Sequence, residues 1–175
     1  MHIRKARSSD TDRCLKLDHS VLTEYAWRME EREHQGAITL IFQPVRLPRA
    51  VTVPYPRQGK ELVAGWEECD LFLVAEDSGI IGYVTARSLP GHGLAWVYDL
   101  VVEPSRRRQG IGRALMAEVA AWARTKALEE LVVAVPTRNY PAVCFCRALG
   151  LAFRGYHDHH WRTQDIALFF GIHLR

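Results

Sequence analysis

"EPSRRRQGIGRAL", residues 103–115, brings four arginines, a glutamine and two glycines to the start of an apolar helical pattern. The apolar positions recur at the spacing i, i+4, i+8 and i+11, and they are Ile111, Leu115, Val119 and Trp122. This spacing predicts an amphipathic helix over residues 110–127. The turn in front of the helix therefore holds much positive charge and very little side chain.

That composition is typical of an anion site. A helix begins with unpaired N–H groups and with the positive end of its dipole, and both favour an anion. Gly110 and Gly112 have no Cβ, so the backbone can come close to a ligand there. The neighbouring arginines carry forked donors that suit phosphate oxygens. We predict a phosphate cradle, with a solvated basic turn as the alternative.

Two common phosphate-binding patterns do not fit this turn. The P-loop pattern G-x-x-x-x-G-K-[ST] occurs nowhere in the chain. A dinucleotide fingerprint, G-x-G-x-x-G, would start at Gly110, but Leu115 stands where the third glycine belongs. The cradle remains, and both of these nucleotide-binding folds lose support.

Length and composition bound the function classes. The chain has 175 residues, 48% hydrophobic and 25% charged, which are ordinary values for one globular domain. The formal net charge of +3 is too small to predict a nucleic-acid partner. No apolar run reaches the roughly 18 residues of a membrane span, and the start, "MHIRKARSSD", lacks the apolar core of a secretory signal. The four cysteines show no disulfide or C-x-x-C spacing, so we expect reduced thiols and a cytoplasmic protein.

The first 70 residues have a mixed pattern. Residues 2–6 predict a strand, and residues 10–31 carry apolar side chains at a spacing that predicts one helix, or two that break near Ser20. Residues 37–56 are β-branched, apolar and interrupted by four prolines, which is typical of edge strands or an extended arm. Residues 57–70 predict a polar connector with one or two helical turns.

The remaining residues predict a sheet with helices on it. A strand at 71–76, a "DSG" turn and strands at 80–89 and 94–104 form a meander. After the helix at 110–127 come a buried strand ending at Pro136, a short helix beginning near Asn139, and a closing strand at 165–174. We predict a single domain of the α+β class.

Three motifs together resemble the GNAT N-acetyltransferase family. Residues 107–112, "RRQGIG", fit the family's [QR]-x-x-G-x-[GA] turn and follow the "DLVVEP" strand at 99–104. Residues 139–151, "NYPAVCFCRALGL", match its N-x-x-A…G-[FL] helix. The acidic Asp99 before the strand core and "GYHDHHW" at 155–161 are similar to the streptothricin-acetyltransferase-like branch.

The resemblance implies a three-layer fold with a mostly antiparallel sheet and a V-shaped splay between two central parallel strands. Residues 71–174 would form the cofactor-binding core, and residues 1–70 resemble the family in element order only. The activity implied is direct transfer of an acetyl group from acetyl-CoA to a primary amine of a small molecule or protein, with no metal. A non-catalytic acyl-CoA-binding module is the alternative.

The resemblance also implies where acetyl-CoA binds. Its pyrophosphate would lie on the glycine turn, and its pantetheine arm would pair with an exposed strand edge in the splay, between residues 100–102 and 131–135. The expected cofactor residues are Leu100, Val101, Val102, Arg107, Arg108, Gln109, Gly110, Ile111, Gly112, Arg113, Asn139 and Phe145.

Acetyl transfer to an amine needs a group that removes a proton from the amine and a donor for the leaving thiolate. Strand alternation places Val97, Asp99 and Val101 on one face, next to the splay. A carboxylate in an apolar strand is costly, so Asp99 is our candidate for the base or for binding the substrate ammonium group; an ion pair with a nearby arginine is the alternative.

The residue expected to protonate the leaving thiolate differs from the family pattern. The usual tyrosine, seven residues after the asparagine, is replaced by Cys146. Its thiol can protonate a leaving thiolate, because the reference pKa of a thiol is ~8.5, and inert packing is the alternative. Tyr140 and Tyr156 are other candidates whose hydroxyls the sequence does not place.

Three further features have simpler readings. The histidines of residues 157–161 resemble a metal site, but without a second cluster a solvated loop is the better interpretation. Tyr25, Trp27 and Met29 are helical core or the lining of an acceptor cleft. The apolar strands at 37–53 and 165–174 leave a sheet edge that a second copy of the chain can cover, which predicts a homodimer.

Overall fold

A computed structural model describes residues 1–174. Its main sheet has seven strands in the order β1-β4-β5-β6-β7-β9-β8, and a separate hairpin is formed by β2 and β3. The strands are β1 (His2–Lys5), β2 (Val21–His34), β3 (Ala37–Val53), β4 (Leu71–Glu76), β5 (Ile80–Leu89), β6 (Leu94–Val102), β7 (Glu130–Pro136), β8 (Ala152–His157) and β9 (Ala167–His173). The helices are α1 (Thr11–Leu15), α2 (Lys60–Glu67), α3 (Ile111–Thr125) and α4 (Tyr140–Ala148).

The predicted α+β class is confirmed. Every neighbouring pair in the main sheet is antiparallel except β6 with β7, which is parallel. The meander at 71–102, the helix of the glycine turn and the closing strand all form where the pattern predicts them. No helix within residues 1–174 has the length and apolarity needed to cross a bilayer.

The helix predicted over residues 10–31 is wrong beyond its first turns. Only Thr11–Leu15 is α-helical, and Val21–His34 is a strand that pairs with β3 along nearly its whole length. The odd positions 21–29 hold Val, Thr, Tyr, Trp and Met, so a period of two coexists with the helical spacing. Pairing with the β-branched partner strand decides between the two periods. Tyr25, Trp27 and Met29 accordingly lie on a strand.

One strand was missed. Residues 152–157 form β8, which pairs with β9 and carries a register shift between Phe153 and Gly155. Its sequence, "AFRGYH", has a charge and a glycine where a strand pattern would continue, so nothing local marks it as a strand. β8 lies at the edge of the sheet, while β9 is an interior strand.

The sheet has a separate apolar core on each face. The larger one packs α3 and α4 against side chains such as Val84, Ala86 and Val97. The smaller one packs α1 and α2 around Tyr83 and Val101. Alternation along β5 explains why neighbouring residues such as Tyr83 and Val84 belong to different cores.

A bulge in β6 corrects the predicted face of Asp99. Thr85 pairs with Asp99 and Ala86 pairs with Val97, so Tyr98 is an extra residue opposite β5. The alternation reverses there: Val97 belongs to the larger core and Val101 to the smaller one. Asp99 shares its face with Val101 and not, as the unbroken alternation predicted, with Val97.

The parallel strands β6 and β7 separate at the residue where the bulge begins. Pairing of β6 with β7 runs from Leu94 with Glu130 to Val97 with Val133, and it stops there. Beyond that point β7 pairs only with β9. The two strands thus form a V whose vertex lies at Val97 and whose arms open toward the start of α3.

Candidate functional site

The turn before α3 offers a set of free N–H groups. Arg108 and Gly110 both have left-handed backbones, with φ of 64° and 83°. Within residues 1–174, no acceptor pairs with the backbone N–H groups of residues 108–113, and the first helical bond runs from the Ala114 N–H to Gly110. Left-handed residues in a turn concentrate N–H groups into a concave anion site. The strain at Arg108, which is not a glycine, is typical of functional turns.

The arginines of the turn differ in exposure and in their hydrogen-bond partners. Arg107 is half-buried and its guanidinium donates to three carbonyl oxygens, those of Val102 at 2.8 Å, Ser20 at 2.8 Å and Asp18 at 3.2 Å. Its side chain thereby ties the turn to the loop after α1. Arg108 and Arg113 are exposed near the free N–H groups, and the Arg113 guanidinium also donates to the Ala148 carbonyl at 3.2 Å.

The gap between β6 and β7 presents backbone groups of β6. The Glu103 N–H donates to the Ile81 carbonyl on β5. Backbone N–H and C=O groups of successive strand residues point to opposite sides, so those of Val101 also point toward β5. Those of Leu100 and Val102 point toward the gap. The Val101 side chain is 4% exposed and lies in the smaller core. Of the three predicted strand residues, the structure brings Leu100 and Val102 to the gap.

A pocket lies next to the vertex of the V, where the gap between β6 and β7 is narrowest. Residues 133–136 of β7 and Asn139, Ala142, Phe145 and Cys146 of the α4 region form one side. Asn139 caps the start of α4, and its side-chain oxygen accepts the Ala142 N–H at 3.1 Å. Phe145 packs so closely on Gly112 that a Cβ there would lie 3.3 Å from its ring. The contact between the ring and Gly112 explains the second glycine of the turn.

Asp99 lies just beneath this pocket. Its side chain is fully buried and accepts three hydrogen bonds: from the Tyr55 hydroxyl at 2.8 Å, from Arg57 at 2.7 Å and from the Thr85 hydroxyl at 2.8 Å. The ion pair with an arginine, considered as the alternative for this residue, is therefore present. Burial and the nearby carboxylate raise the pKa of Tyr55 well above its usual value, so its hydroxyl keeps its proton.

Arg57 connects the segment before α2 to β6. Besides Asp99, it donates to the Tyr98 carbonyl at 2.5 Å, and its guanidinium lies 5.4 Å from the centre of the Tyr98 ring. A Cβ on Gly65 of α2 would come within 3.1 Å of the guanidinium, so that glycine makes room for it. Tyr55, Arg57 and Tyr98 all line the pocket, opposite α4.

Sequence reasoning missed Tyr55, Arg57 and Thr85. The first two stand more than 40 residues before Asp99 and belong to a segment without periodic pattern. One signal could have indicated such a partner: a buried carboxylate such as that of Asp99 is costly unless a cationic side chain pairs with it. Nothing in the sequence says which of many arginines supplies it.

Cys146 lines the pocket but is 3% exposed and belongs to the larger core. Burial raises the pKa of its thiol to about 12. The two other tyrosine candidates lie elsewhere: the Tyr140 ring packs on Tyr25 at 5.1 Å, and the Tyr156 ring packs on Phe42 at 5.4 Å. Neither lines the pocket.

The histidine-rich loop after β8 packs partly against the sheet. His160 is half-buried between Trp161 and Phe169, and burial lowers its pKa. Across residues 1–174, His, Cys, Asp and Glu side chains form no group of three arranged to hold a metal ion. Trp161, from the same loop, reaches the pocket.

Comparison with solved structures finds the same fold. A crystal structure of nourseothricin acetyltransferase aligns with a TM-score of 0.84 at 21% identity and covers 99% of this chain and 98% of that one. A Bacillus anthracis protein with a provisional assignment as streptothricin acetyltransferase, in complex with acetyl coenzyme A, aligns with a TM-score of 0.75 at 16% identity over 98% of both chains.

Sequence comparison agrees. The streptothricin acetyltransferase of Streptomyces lavendulae is 26% identical over 155 residues, which cover 87% of this chain and 82% of the relative. The model of the Acetyltransferase (GNAT) family matches residues 23–151, most of the chain and all of the turn, gap and bulge described above. The chain therefore belongs to the GNAT acetyltransferase family.

Proposed function

We propose that this acetyltransferase moves the acetyl group of acetyl-CoA directly to a primary amine. The observation that carries the proposal is the order of three features along β6: the free N–H groups at residues 108–113, the open strand edge, and the pocket next to the vertex of the V. An anion site, an unpaired strand edge and an enclosed end match the pyrophosphate, the amide-bearing arm and the thioester of one molecule.

In this arrangement the pyrophosphate accepts hydrogen bonds from the backbone of residues 108–113, including Gln109, Gly110 and Ile111. Arg108 and Arg113 add charge, while Arg107 supports the turn through its bonds to carbonyl oxygens. The pantetheine amides pair with Leu100 and Val102. Asn139 retains its side-chain NH₂ for the far end of the arm, because only its oxygen caps α4.

We propose that Asp99 takes the amine proton through Tyr55. The Asp99 side chain has no exposed surface, but Tyr55 lines the pocket and its hydroxyl already donates to Asp99. As the amine nitrogen attacks the thioester carbon, the Tyr55 oxygen accepts a proton and passes its own to Asp99. The hydroxyl ends the step as it began, and the proton leaves later by the same route.

The names of the relatives favour a small-molecule acceptor, as in streptothricin and nourseothricin acetyltransferases. A protein amino group is the second candidate, and the cytoplasmic location expected from the sequence suits either. We expect thiol release from acetyl-CoA with a streptothricin-type amine in a panel that also holds aminoglycosides, polyamines and peptides. Uptake of CoA without thiol release from any amine would instead identify an acyl-CoA-binding module.

We also propose that the chain forms a homodimer through the β2–β3 hairpin and β8. The predicted strand at 165–174 is interior, so it is not the edge that a partner covers. Most of the exposed large apolar side chains lie instead on the hairpin, where Ile38 is 66% exposed, and Phe153 on the edge strand β8 is 49% exposed.

We expect a dimer mass in sedimentation at micromolar concentration, because exposed apolar side chains on a hairpin that packs against an open edge strand are stabilised by a partner. Ile38→Glu should shift the mass toward a monomer without unfolding the main sheet. A monomeric parent protein at that concentration would contradict the proposal.

A further inference from the structure

Tyr98 lies immediately after the vertex of the V at Val97. It is the first residue of β6 after the last pair with β7, and it is the extra residue of the bulge. Its side chain is 37% exposed and lines the pocket together with Leu100 and Cys146. If acetyl-CoA lies as proposed above, its pantetheine arm runs along β6 toward this residue, and the thioester ends beside it.

Among residues 1–174, three side chains with an O–H or S–H group line this pocket, and they are Tyr55, Tyr98 and Cys146. Tyr55 donates its proton to Asp99. Cys146 is 3% exposed, and burial raises the pKa of its thiol to about 12, so it is a poor proton donor to a thiolate. The Tyr98 hydroxyl makes no hydrogen bond to the described residues, which leaves it free for a ligand.

The surroundings hold the Tyr98 ring in place. The Arg57 guanidinium lies over one face of the ring, and the same group donates to the Tyr98 carbonyl. Asp99 and Gly65 fix the guanidinium in turn, through the ion pair and through the space left by the missing Cβ. A side chain that is exposed yet held by a cation on its ring can present its hydroxyl at a constant position.

We propose that Tyr98 is the general acid of this acetyltransferase and takes the role that the family pattern gives to position 146. This rests on the proposed function and extends it. When the amine forms its bond to the carbonyl carbon, the carbon–sulfur bond breaks and the electron pair stays on sulfur. The Tyr98 hydroxyl gives its proton to that thiolate, and the exposed phenolate regains a proton from water.

The test is Tyr98→Phe in the full chain, with thiol release from acetyl-CoA as the activity. The change removes only the hydroxyl, so the kcat should fall about 100-fold, at the lower end of general acid catalysis. The Kd for CoA should stay near the parental value, because the strand backbone and the turn bind it. Retention of CoA binding also shows that the variant is folded.

Tyr140→Phe and Cys146→Ala are the comparison variants. We expect both to lose much less activity than Tyr98→Phe, because one hydroxyl lies outside the pocket and the other group is a poor proton donor. Parental kcat in Tyr98→Phe, or a larger loss in Cys146→Ala, would overturn the role of Tyr98 and leave the proposed function standing. Absence of thiol release by the parent protein with every amine would instead reject the proposed function itself.

Discussion

Replacing Gly110 by valine is expected to weaken CoA binding about 100-fold or more. Gly110 has a φ of +83°, and no atom lies within 4 Å of the position that a Cβ would take. That empty space is where the proposed pyrophosphate approaches the backbone, so a β-branched side chain would fill it. Losing two charge-assisted hydrogen bonds costs about 3–6 kcal/mol, which is at least 100-fold in Kd. Calorimetric titration with CoA measures the change.

Gly150 supplies a matched control for this variant. It follows α4, has a φ of +82°, and also has no atom within 4 Å of a built Cβ. Gly150→Val therefore introduces the same backbone strain, of about 1–2 kcal/mol, away from the turn. We expect it to lower the melting temperature as Gly110→Val does and to keep CoA affinity. Equal affinity in the two folded variants would exclude the turn as the phosphate site.

The turn was predictable from sequence because its physics is local. Two glycines, the arginines and a helix start within residues 106–113 are enough to predict an anion site, and no distant residue needs to be known. The different partners of its arginines were not predictable. Arg107 looks like its neighbours in the sequence, yet it holds carbonyl oxygens of Ser20 and Val102 because the loop after α1 happens to lie beside it.

The N-terminal half was harder to predict because its structure depends on pairing. Residues 21–34 fit both a helical period and a strand period, and only the partner strand at 37–53 decides between them. The bulge at Tyr98 has the same origin: it appears where β5 and β6 are aligned residue by residue. Without that register, unbroken alternation predicted that Asp99 shares a face with Val97. It gave no reason to expect Tyr98 in the pocket.

Asp99→Asn is expected to lower the rate of acetyl transfer about 100- to 10,000-fold at neutral pH, the range of general-base contributions. The amide keeps the shape of the carboxylate: its oxygen can accept from Tyr55 and Arg57, and its NH₂ can donate to the Thr85 hydroxyl. It cannot take up the amine proton. CoA affinity should be parental, since Asp99 does not line the pocket. Rates are compared per folded molecule, because the variant also removes the charge opposite Arg57.

A second variant separates proton transfer from the loss of the ion pair. Tyr55→Phe removes the hydroxyl that links Asp99 to the pocket and leaves the bond between Asp99 and Arg57 intact. If the proton passes through Tyr55, this variant should lose nearly as much rate as Asp99→Asn, and the double variant should lose little more than either one. Thr85→Val removes the third donor, which has no path to the pocket, and should stay near the parental rate.

The structural alternative predicts a different set of outcomes. If Asp99 serves only to neutralise Arg57, Asp99→Asn should melt early because a half-buried guanidinium loses its partner, while each folded molecule turns over normally. Tyr55→Phe would then keep its rate as well. An Asp99→Asn variant that melts early but acetylates at the parental rate would reject the catalytic assignment, because an amide cannot accept the proton that the proposed relay delivers to Asp99. Loss of rate in both variants, with Thr85→Val active, is the result expected of a proton that travels from the amine through Tyr55 to Asp99.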